Sequence, residues 1–192
     1  MKTVVIKIAK VKVYNDVAMT TSYTGHKIKD DATAYDRIFT TDEDREQLER
    51  FWVEACNIVT DSLKRFSPIV SKQQLSPVSH GVDLSVNYEV TMSMPDVFDS
   101  NLRDDIEASI HSFFVLFVTS RWFRFVHKEE AESYAVDANG MLDTAIRQLR
   151  YRLPPTLTAP SVTHSAEPIT HEHDYNEFPG SSSEEPISDI KM

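Results

Sequence analysis

Alternating histidines near the C-terminus have the spacing of metal ligands. His171 and His173 flank Glu172, Asp174 follows, and His164 lies upstream. Two histidines and one carboxylate could supply three ligands to a zinc ion. Because prolines flank this stretch and nothing pre-organises it, the sequence favours a solvated polar tail. We therefore predict no metal site.

The other candidate catalytic side chains lie in apolar, helix-like segments. His111 precedes Ser112, His127 follows later, and Cys56 is the only cysteine. No Gly-x-Ser-x-Gly turn is present to position a nucleophile, and four glycines in the whole chain disfavour a phosphate-binding loop. We predict that the protein is not an enzyme and has no catalytic or cofactor-binding residue. Cys56 is expected to be a small buried side chain.

Two pairs of neighbouring carboxylates have the residue types of general acids and bases. They are Asp104-Asp105 and Glu129-Glu130. Each pair falls in the first turn of a predicted helix, where the helix dipole favours negative charge. This placement explains both pairs without catalysis.

Basic and aromatic residues are mixed where the second predicted helix ends. The cluster comprises Arg121, Trp122, Phe123, Arg124, Phe125, His127 and Lys128. Such a mixture can contact phosphates and stack on bases, but a formal net charge of −10 argues against a general nucleic-acid binder. We predict that these basic residues either interact favourably with the C-terminal end of the helix dipole or bind the acidic arm of another subunit. The end of the third predicted helix carries three basic residues that we expect to play the same role there, namely Arg147, Arg150 and Arg152.

The composition suits one globular domain with an extension. The chain has 192 residues, 41% of them hydrophobic, and single domains commonly contain about 100–200 residues. No run approaches the roughly 18 apolar residues of a membrane span. The first residues lack a long apolar core and a small-residue cleavage site. We therefore expect no signal peptide and synthesis in a reducing cytoplasm.

Strict alternation of apolar and polar residues over Val82–Met94 predicts an amphipathic strand that ends at Pro95. A strand cannot satisfy its own backbone hydrogen bonds, so it must pair with another strand. The best candidate within the chain is the N-terminal segment.

The apolar residues of the N-terminal segment change phase along the chain. One face carries Val4, Ile6 and Ile8, and the opposite phase carries Val11 and Val13. The shift at Ala9-Lys10 indicates a bulge, a bend or two short strands, with lysines guarding an exposed edge, namely Lys7, Lys10 and Lys12. Residues 15–40 are mostly polar, which predicts a long loop.

The first predicted helix begins near Thr40 or Thr41, where Thr40-x-x-Glu43 has the form of a capping box, and it ends near Phe66. Its apolar residues recur at three- and four-residue steps, namely Leu48, Phe51, Trp52, Ala55, Val59 and Leu63. This spacing predicts one continuous stripe that faces a core.

The second predicted helix begins at Asp99 or Ser100. From Phe113 to Val118 it is apolar almost all round, which is typical of a helix that is buried on several sides. The third helix spans about Lys128 to Arg152. Because the connection between them is short, we expect the second and third helices to be antiparallel neighbours.

These elements predict an α+β fold in which three helices pack on a small, mainly antiparallel sheet, with an extended C-terminal arm. The predicted core comprises Leu48, Trp52, Val59, Leu84, Val86, Val90, Ile110, Phe114, Phe117, Tyr134, Leu142 and Ile146. The globular domain covers residues 1–152, and the arm covers residues 153–192.

The arm is acidic and contains several prolines. It has six prolines and seven acidic residues against one lysine, so it carries −6 of the formal −10. With few large apolar side chains it cannot offset its own ordering entropy. We therefore expect that only a partner orders it.

Five runs of residues in this chain resemble those of a known protein family. They are Phe39-Thr40-Thr41-Asp42-Glu43-Asp44-Arg45, Leu48-Glu49-Arg50-Phe51-Trp52, Arg121-Trp122-Phe123, Glu129-Glu130-Ala131-Glu132-Ser133-Tyr134 and Tyr151-Arg152. In these runs the chain resembles a family of small proteins from Bacteroidales phages and prophages, over residues 1–155 and without the arm. Members of that family sit among tail and neck genes. The resemblance implies a virion structural role, and no catalytic residue comes with it.

We therefore predict a virion subunit of a phage neck or tail, such as a head–tail connector, ring or tail-completion protein, assembled in the bacterial host cytoplasm. The expected partners are copies of itself in a ring and adjacent portal, neck or tail proteins. We expect no membrane partner and no direct nucleic-acid contact. The alternative is a phage-encoded regulatory protein whose acidic arm blocks a basic partner surface, mimicking DNA.

Overall fold

The computed structural model of the chain describes residues 1–27, 33–66, 69–70 and 84–154. These ranges contain three strands and five α-helices. The predicted combination of helices with a small antiparallel sheet is confirmed, but the described residues are mostly helical and form five helices in place of three. The predicted arm lies outside the described residues from position 155 onward.

The sheet joins segments that are far apart in sequence. Strand β1 (Lys2–Ile8) pairs antiparallel with strand β3 (Tyr88–Met94) along its whole length. Strand β2 (Ile69–Val70) pairs antiparallel with the other edge of β3, so the order is β1-β3-β2. The predicted pairing of the N-terminal segment with the alternating strand is confirmed.

Strand β3 is shorter than the alternation over 82–94 indicated. It begins at Tyr88, and residues 84–87 form a turn and irregular backbone. Residues 82–83 lie outside the described ranges. The alternating burial holds only where β1 supplies backbone partners along the strand.

The chain passes from strand to helix within one residue after Ile8. Helix α1 (Lys10–Lys27) buries a stripe at four-residue spacing, comprising Val13, Val17, Thr21 and Gly25. The phase change at Ala9-Lys10 therefore marks a strand-to-helix junction, and not the bulge, bend or second strand that we expected. Lys10 does not guard an edge, because it is buried in the first turn of α1.

The prediction of a long loop over residues 15–40 was also wrong. Helix α1 fills its first part, and the short helix α2 (Ala34–Ile38) lies in its second part. Residues 28–32 lie outside the described ranges. Gly25 lets α2 approach closely, since a Cβ built on it would lie 3.0 Å from the Tyr35 Cα.

The next long helix, α3 (Arg45–Leu63), begins through a 3-10 turn at Asp42–Asp44. A capping box is present, but one residue later than predicted. Thr41 and Asp44 form it, and the Thr41 N–H donates to Asp44 Oδ2 at 2.7 Å. Thr40 is instead buried, with its Oγ1 3.3 Å from that of Thr21 on α1.

Helices α4 (Arg103–Val126) and α5 (Lys128–Arg150) match the second and third predicted helices closely. Asp99 precedes α4, and its carboxylate accepts a hydrogen bond from the Asn101 N–H at 3.0 Å. Only His127 separates the two helices, which pack against each other as neighbours. Helix α4 also contacts α1, α3 and β1, which explains why its middle is apolar nearly all round.

The core lies around α4 and contains most of the predicted residues. Eight of the twelve are buried, namely Leu48, Trp52, Val59, Val90, Ile110, Phe114, Phe117 and Leu142. The other four are partly buried, namely Leu84, Val86, Tyr134 and Ile146. The core prediction is therefore largely confirmed.

Candidate functional site

A buried polar cluster joins α1 to α3. Lys10 Nζ lies 2.9 Å from Glu49 Oε1, and the Tyr14 hydroxyl donates to Glu49 Oε2, also at 2.9 Å. The Lys10 side chain is 3% exposed and that of Glu49 is 26% exposed. One carboxylate therefore accepts from two groups on the neighbouring helix, one charged and one neutral.

Aromatic contacts complete this cluster. Lys10 Nζ lies 5.8 Å from the centroid of the Trp52 ring, and Tyr14 meets that ring edge-on. Burial, together with the nearby Glu49 carboxylate, raises the pKa of Tyr14 well above its ordinary value, so the phenol stays protonated and donates. The cluster fastens two helices, and its lysine is shielded from solvent.

A second polar pair joins α1 to α4. His111 Nε2 lies 2.7 Å from Asp16 Oδ2, with the histidine side chain 18% exposed and the aspartate 38% exposed. Within the described residues no serine, threonine or cysteine is hydrogen-bonded to His111. The pair thus has a histidine and its orienting carboxylate but not the nucleophile of a Ser–His–Asp triad.

The basic and aromatic cluster at the end of α4 is largely turned inward. Arg121 pairs with Glu54 of α3, and its guanidinium lies 4.9 Å from the Phe117 ring centroid. Trp122 is buried, and its indole N–H donates to the Ile38 carbonyl at 2.7 Å. Arg121 therefore joins two helices and does not serve the C-terminus of α4 as we had favoured.

Only part of that cluster faces solvent. Phe125 is 70% exposed and stacks on Phe51 with ring centroids 6.2 Å apart, and Arg124 is also exposed. Phe123 is buried, with its ring edge-on to that of His127. Of the three aromatic residues in this cluster, Phe125 alone is exposed enough to stack on a base. The surface available for stacking is therefore smaller than the sequence predicted.

The remaining predicted positions lie apart from one another. Asp104 and Asp105 are exposed at the start of α4, and Glu129 is exposed at the start of α5, in the first turns that we predicted. Cys56 is buried, as expected. Arg152 donates to the Leu149 carbonyl at 2.9 Å, which confirms its role at the end of α5.

Metal ligands do not cluster in the described part of the chain. No group of three or more His, Cys, Asp or Glu side chains there could hold an ion. His164, His171 and His173 lie outside it. No described helix is long and apolar enough to cross a membrane.

The surface has two shallow grooves that the sequence did not predict. One, of about 560 Å³, is lined by Met19, Thr20, Ser22, Tyr23 and His26 of α1. The other, of about 360 Å³, is lined by Leu102, Thr144, Arg147, Gln148 and Tyr151. The sequence does not predict the first groove, because it predicts a loop over the residues that form α1.

Comparison of the chain with protein-family models, curated proteins and solved structures found no match.

Proposed function

We propose that this chain is a structural subunit that acts by protein–protein assembly, in the neck or tail of a phage virion. The observation that carries the proposal is the grouping of exposed apolar side chains. Single exposed apolar residues are ordinary on protein surfaces, whereas groups of them mark contacts with other proteins. Two groups occur on the described surface, namely Met19 with Tyr23 on α1, and Val97 with Leu153.

Each group is placed for contact. Met19 and Tyr23 are one helical turn apart on α1, at 71% and 62% exposed. Val97 and Leu153 are brought together because the Leu153 N–H donates to the Val97 carbonyl at 2.9 Å. Such surfaces lose apolar area to water when another chain covers them, which favours association.

The placement of the ionisable groups supports a role without catalysis. Lys10, Glu49, His111, Asp16 and Arg121 have the residue types that catalysis uses, and each pairs across a helix interface. Groups paired in this way hold helices together. The proposal for a phage neck or tail follows the resemblance of the five runs, and the acidic arm supplies a further contact with basic neighbours.

Quantitative mass spectrometry of purified phage particles that carry this gene tests the proposal. We expect several copies per particle, in a constant ratio to the other neck and tail proteins after density-gradient purification. Recovery of the chain only from the lysate, and not from particles, would contradict a virion role. It would favour the alternative of a regulatory protein that blocks a basic surface.

The role of the arm has its own test. Particles reconstituted with residues 1–152 alone are compared with particles that contain the full chain. A matched control keeps the arm but replaces its seven acidic residues by Asn or Gln. We expect both variants to weaken incorporation if charge carries the contact. Unchanged incorporation of both would remove the arm from the proposal.

A further inference from the structure

Strand β1 lies at one edge of the sheet, with β3 on one side and no described strand on the other. It is seven residues long, and Val4, Ile6 and Ile8 of its inner face are buried. An edge strand carries a row of backbone N–H and C=O groups with which a strand of another molecule can pair. A regular edge of this length therefore needs protection if copies of the chain are not to join sheet to sheet.

Two hydrogen bonds from α4 reach the backbone of this edge. The Arg103 Nε–H donates to the Val5 carbonyl at 2.9 Å, and Glu107 Oε2 accepts from the Lys7 N–H at 3.3 Å. Arg103 and Glu107 are four residues apart on α4, and their side chains form an ion pair at 3.4 Å. Each side chain therefore helps to hold the other along the edge of β1.

Both bonds lie on the side of β1 that faces away from β3. Successive residues of a strand direct their N–H and C=O groups alternately to its two sides. Val5 and Lys7 therefore share one side, to which Thr3 also belongs. The intervening residues, including Ile6, direct their groups to β3, which pairs with β1 along its whole length.

The Arg103–Glu107 pair imitates one residue of an added strand. In a parallel ladder a residue donates its N–H to one carbonyl of the adjacent strand and accepts from the N–H two residues further along. Arg103 supplies that donor to Val5, and Glu107 supplies that acceptor to Lys7. An added strand would have to displace both side chains in either orientation, because antiparallel pairing uses the same two backbone groups.

Further charged side chains surround the same edge. The Lys7 side chain is 57% exposed, and its ammonium group lies 3.8 Å from the Glu89 carboxylate on β3. The Arg103 guanidinium also lies 3.3 Å from the Asp104 carboxylate. A strand that covered these charges would remove them from water, which is unfavourable unless each charge keeps a partner. The charges therefore oppose an added strand together with the two hydrogen bonds.

We propose that Arg103 and Glu107 form an edge guard, which prevents the β1 strands of two copies of the chain from pairing into one continuous sheet. The excluded partner is a second copy because the edge fits itself. Antiparallel pairing centred on Val5 would place Thr3 of each copy opposite Lys7 of the other, so that no like charges stand opposite each other in the two strands. With the guard in place, Arg103 and Glu107 occupy the backbone groups that this pairing needs.

The edge guard goes beyond the proposed function and does not depend on it. A chain that works by assembly must limit its contacts to the intended surfaces, because specificity needs features that disfavour a wrong contact as well as features that favour the right one. The exposed groups of Met19 with Tyr23 and of Val97 with Leu153 lie outside β1. The guard therefore closes an edge that these contacts do not use.

Sedimentation velocity of the full chain over a wide concentration range provides the first test. In Arg103→Ala with Glu107→Ala, the concentration at which half of the chains associate should fall by at least about tenfold relative to the wild type. Glu107→Gln keeps an acceptor for the Lys7 N–H and should behave as the wild type does. Asp105→Ala is the matched control, since this exposed carboxylate of α4 has no hydrogen bond or ion pair with a described residue of β1. Circular dichroism shows whether each variant folds.

A proline in the edge shows whether the added association uses β1. Val5→Pro removes an N–H that points to the outer side of the strand, where proline is tolerated in an edge strand. Placed in the double variant, it should return self-association to the wild-type level. Hydrogen exchange followed by mass spectrometry gives an independent readout. The Thr3 and Val5 amides should exchange more slowly in the associated double variant than in its dilute form, because the second strand accepts from them.

The proposal is overturned if the folded double variant associates no more readily than Asp105→Ala. It is equally overturned if Val5→Pro leaves that association unchanged, or if the β1 amides exchange as fast in the associated form as in the dilute one. Should the double variant fail to fold, Glu107→Ala alone is compared with Glu107→Gln, since it opens the Lys7 N–H and keeps the Arg103 bond. Mass spectrometry of particles decides the virion role separately, so none of these results affects it.

Discussion

Replacing Glu49 by alanine should destabilise the protein far more than replacing Lys10 by methionine. The two side chains form one pair at 2.9 Å, but their surroundings differ. Removal of the carboxylate leaves the ammonium group of Lys10 buried, at 3% exposed. Removal of the ammonium group leaves a carboxylate that is 26% exposed and still accepts from Tyr14.

The expected magnitudes follow from this asymmetry. Removing one partner of a buried ion pair costs about 3–5 kcal/mol, which we expect for Glu49→Ala. Lys10→Met keeps the aliphatic packing beside Trp52 and leaves Glu49 partly solvated. Its cost should be about 1.5–2 kcal/mol, the lower end of the range for one lost hydrogen bond to a charged group.

Urea denaturation followed by tryptophan fluorescence measures both losses. If the free energies of unfolding of the two variants differ by about 2–3 kcal/mol, their midpoint urea concentrations should differ by roughly 1–2 M for a protein of this size. The double variant Lys10→Met with Glu49→Gln is the control, since it removes both charges and keeps an acceptor for Tyr14. It should be more stable than Glu49→Ala alone.

Equal losses for the two single variants would refute the reasoning. So would a loss below about 1 kcal/mol for Glu49→Ala, the value typical of an exposed ion pair. Either result would mean that water or another protein group compensates the Lys10 ammonium group when Glu49 is absent. The pair would then contribute no more than a surface contact, and the helices α1 and α3 would be held by apolar packing.

The remaining predictions concern two glycines and one tyrosine. Gly25→Ala should destabilise the protein by about 1–3 kcal/mol despite alanine's helix propensity, because the new methyl group meets the Tyr35 backbone at 3.0 Å. Gly140→Ala should stabilise it by about 1 kcal/mol, because open space surrounds that position; thermal melting compares the two variants. Burial raises the pKa of Tyr88 from 10.0 to about 12, while its hydrogen bond with Thr60 acts in the opposite direction. The unfolded chain therefore ionises this phenol first, so stability present below pH 10 should fall as pH rises towards 12; Tyr88→Phe should flatten that part of the curve in alkaline denaturation.

The helices that the sequence predicted best are those with large, uniform apolar surfaces. In α4 phenylalanines, isoleucines and valine face neighbours on several sides, and Asp99 marks its beginning. Helix α1 was missed because the stripe that it buries ends in Thr21 and Gly25. Threonine and glycine are also typical of turns. Their burial here depends on contacts with α2 and Thr40, and the local spacing of apolar residues does not reveal such contacts.

The polar contacts were missed for a different reason. Lys10 and Glu49, or Asp16 and His111, are distant in sequence and meet only when α1 packs beside α3 and α4. Residue types identified His111 as a candidate, but not its partner. The capping box was displaced by one residue because Thr40 and Thr41 both fit the pattern. Tertiary contact with Thr21 then selected which of them is buried.

The pairing of β1 with β3 has a consequence for synthesis on the ribosome. Strand β1 leaves the ribosome before β3, so for that interval its apolar face and that of α1 lack the partners that cover them. Helices α4 and α5 depend on close neighbours in sequence and can form soon after they emerge. Because α4 follows β3 in the chain and covers α1 and β1 only after it has emerged, completion of the core is a late step. An N-terminal segment that waits for these partners is the part of this chain that a chaperone would be expected to hold.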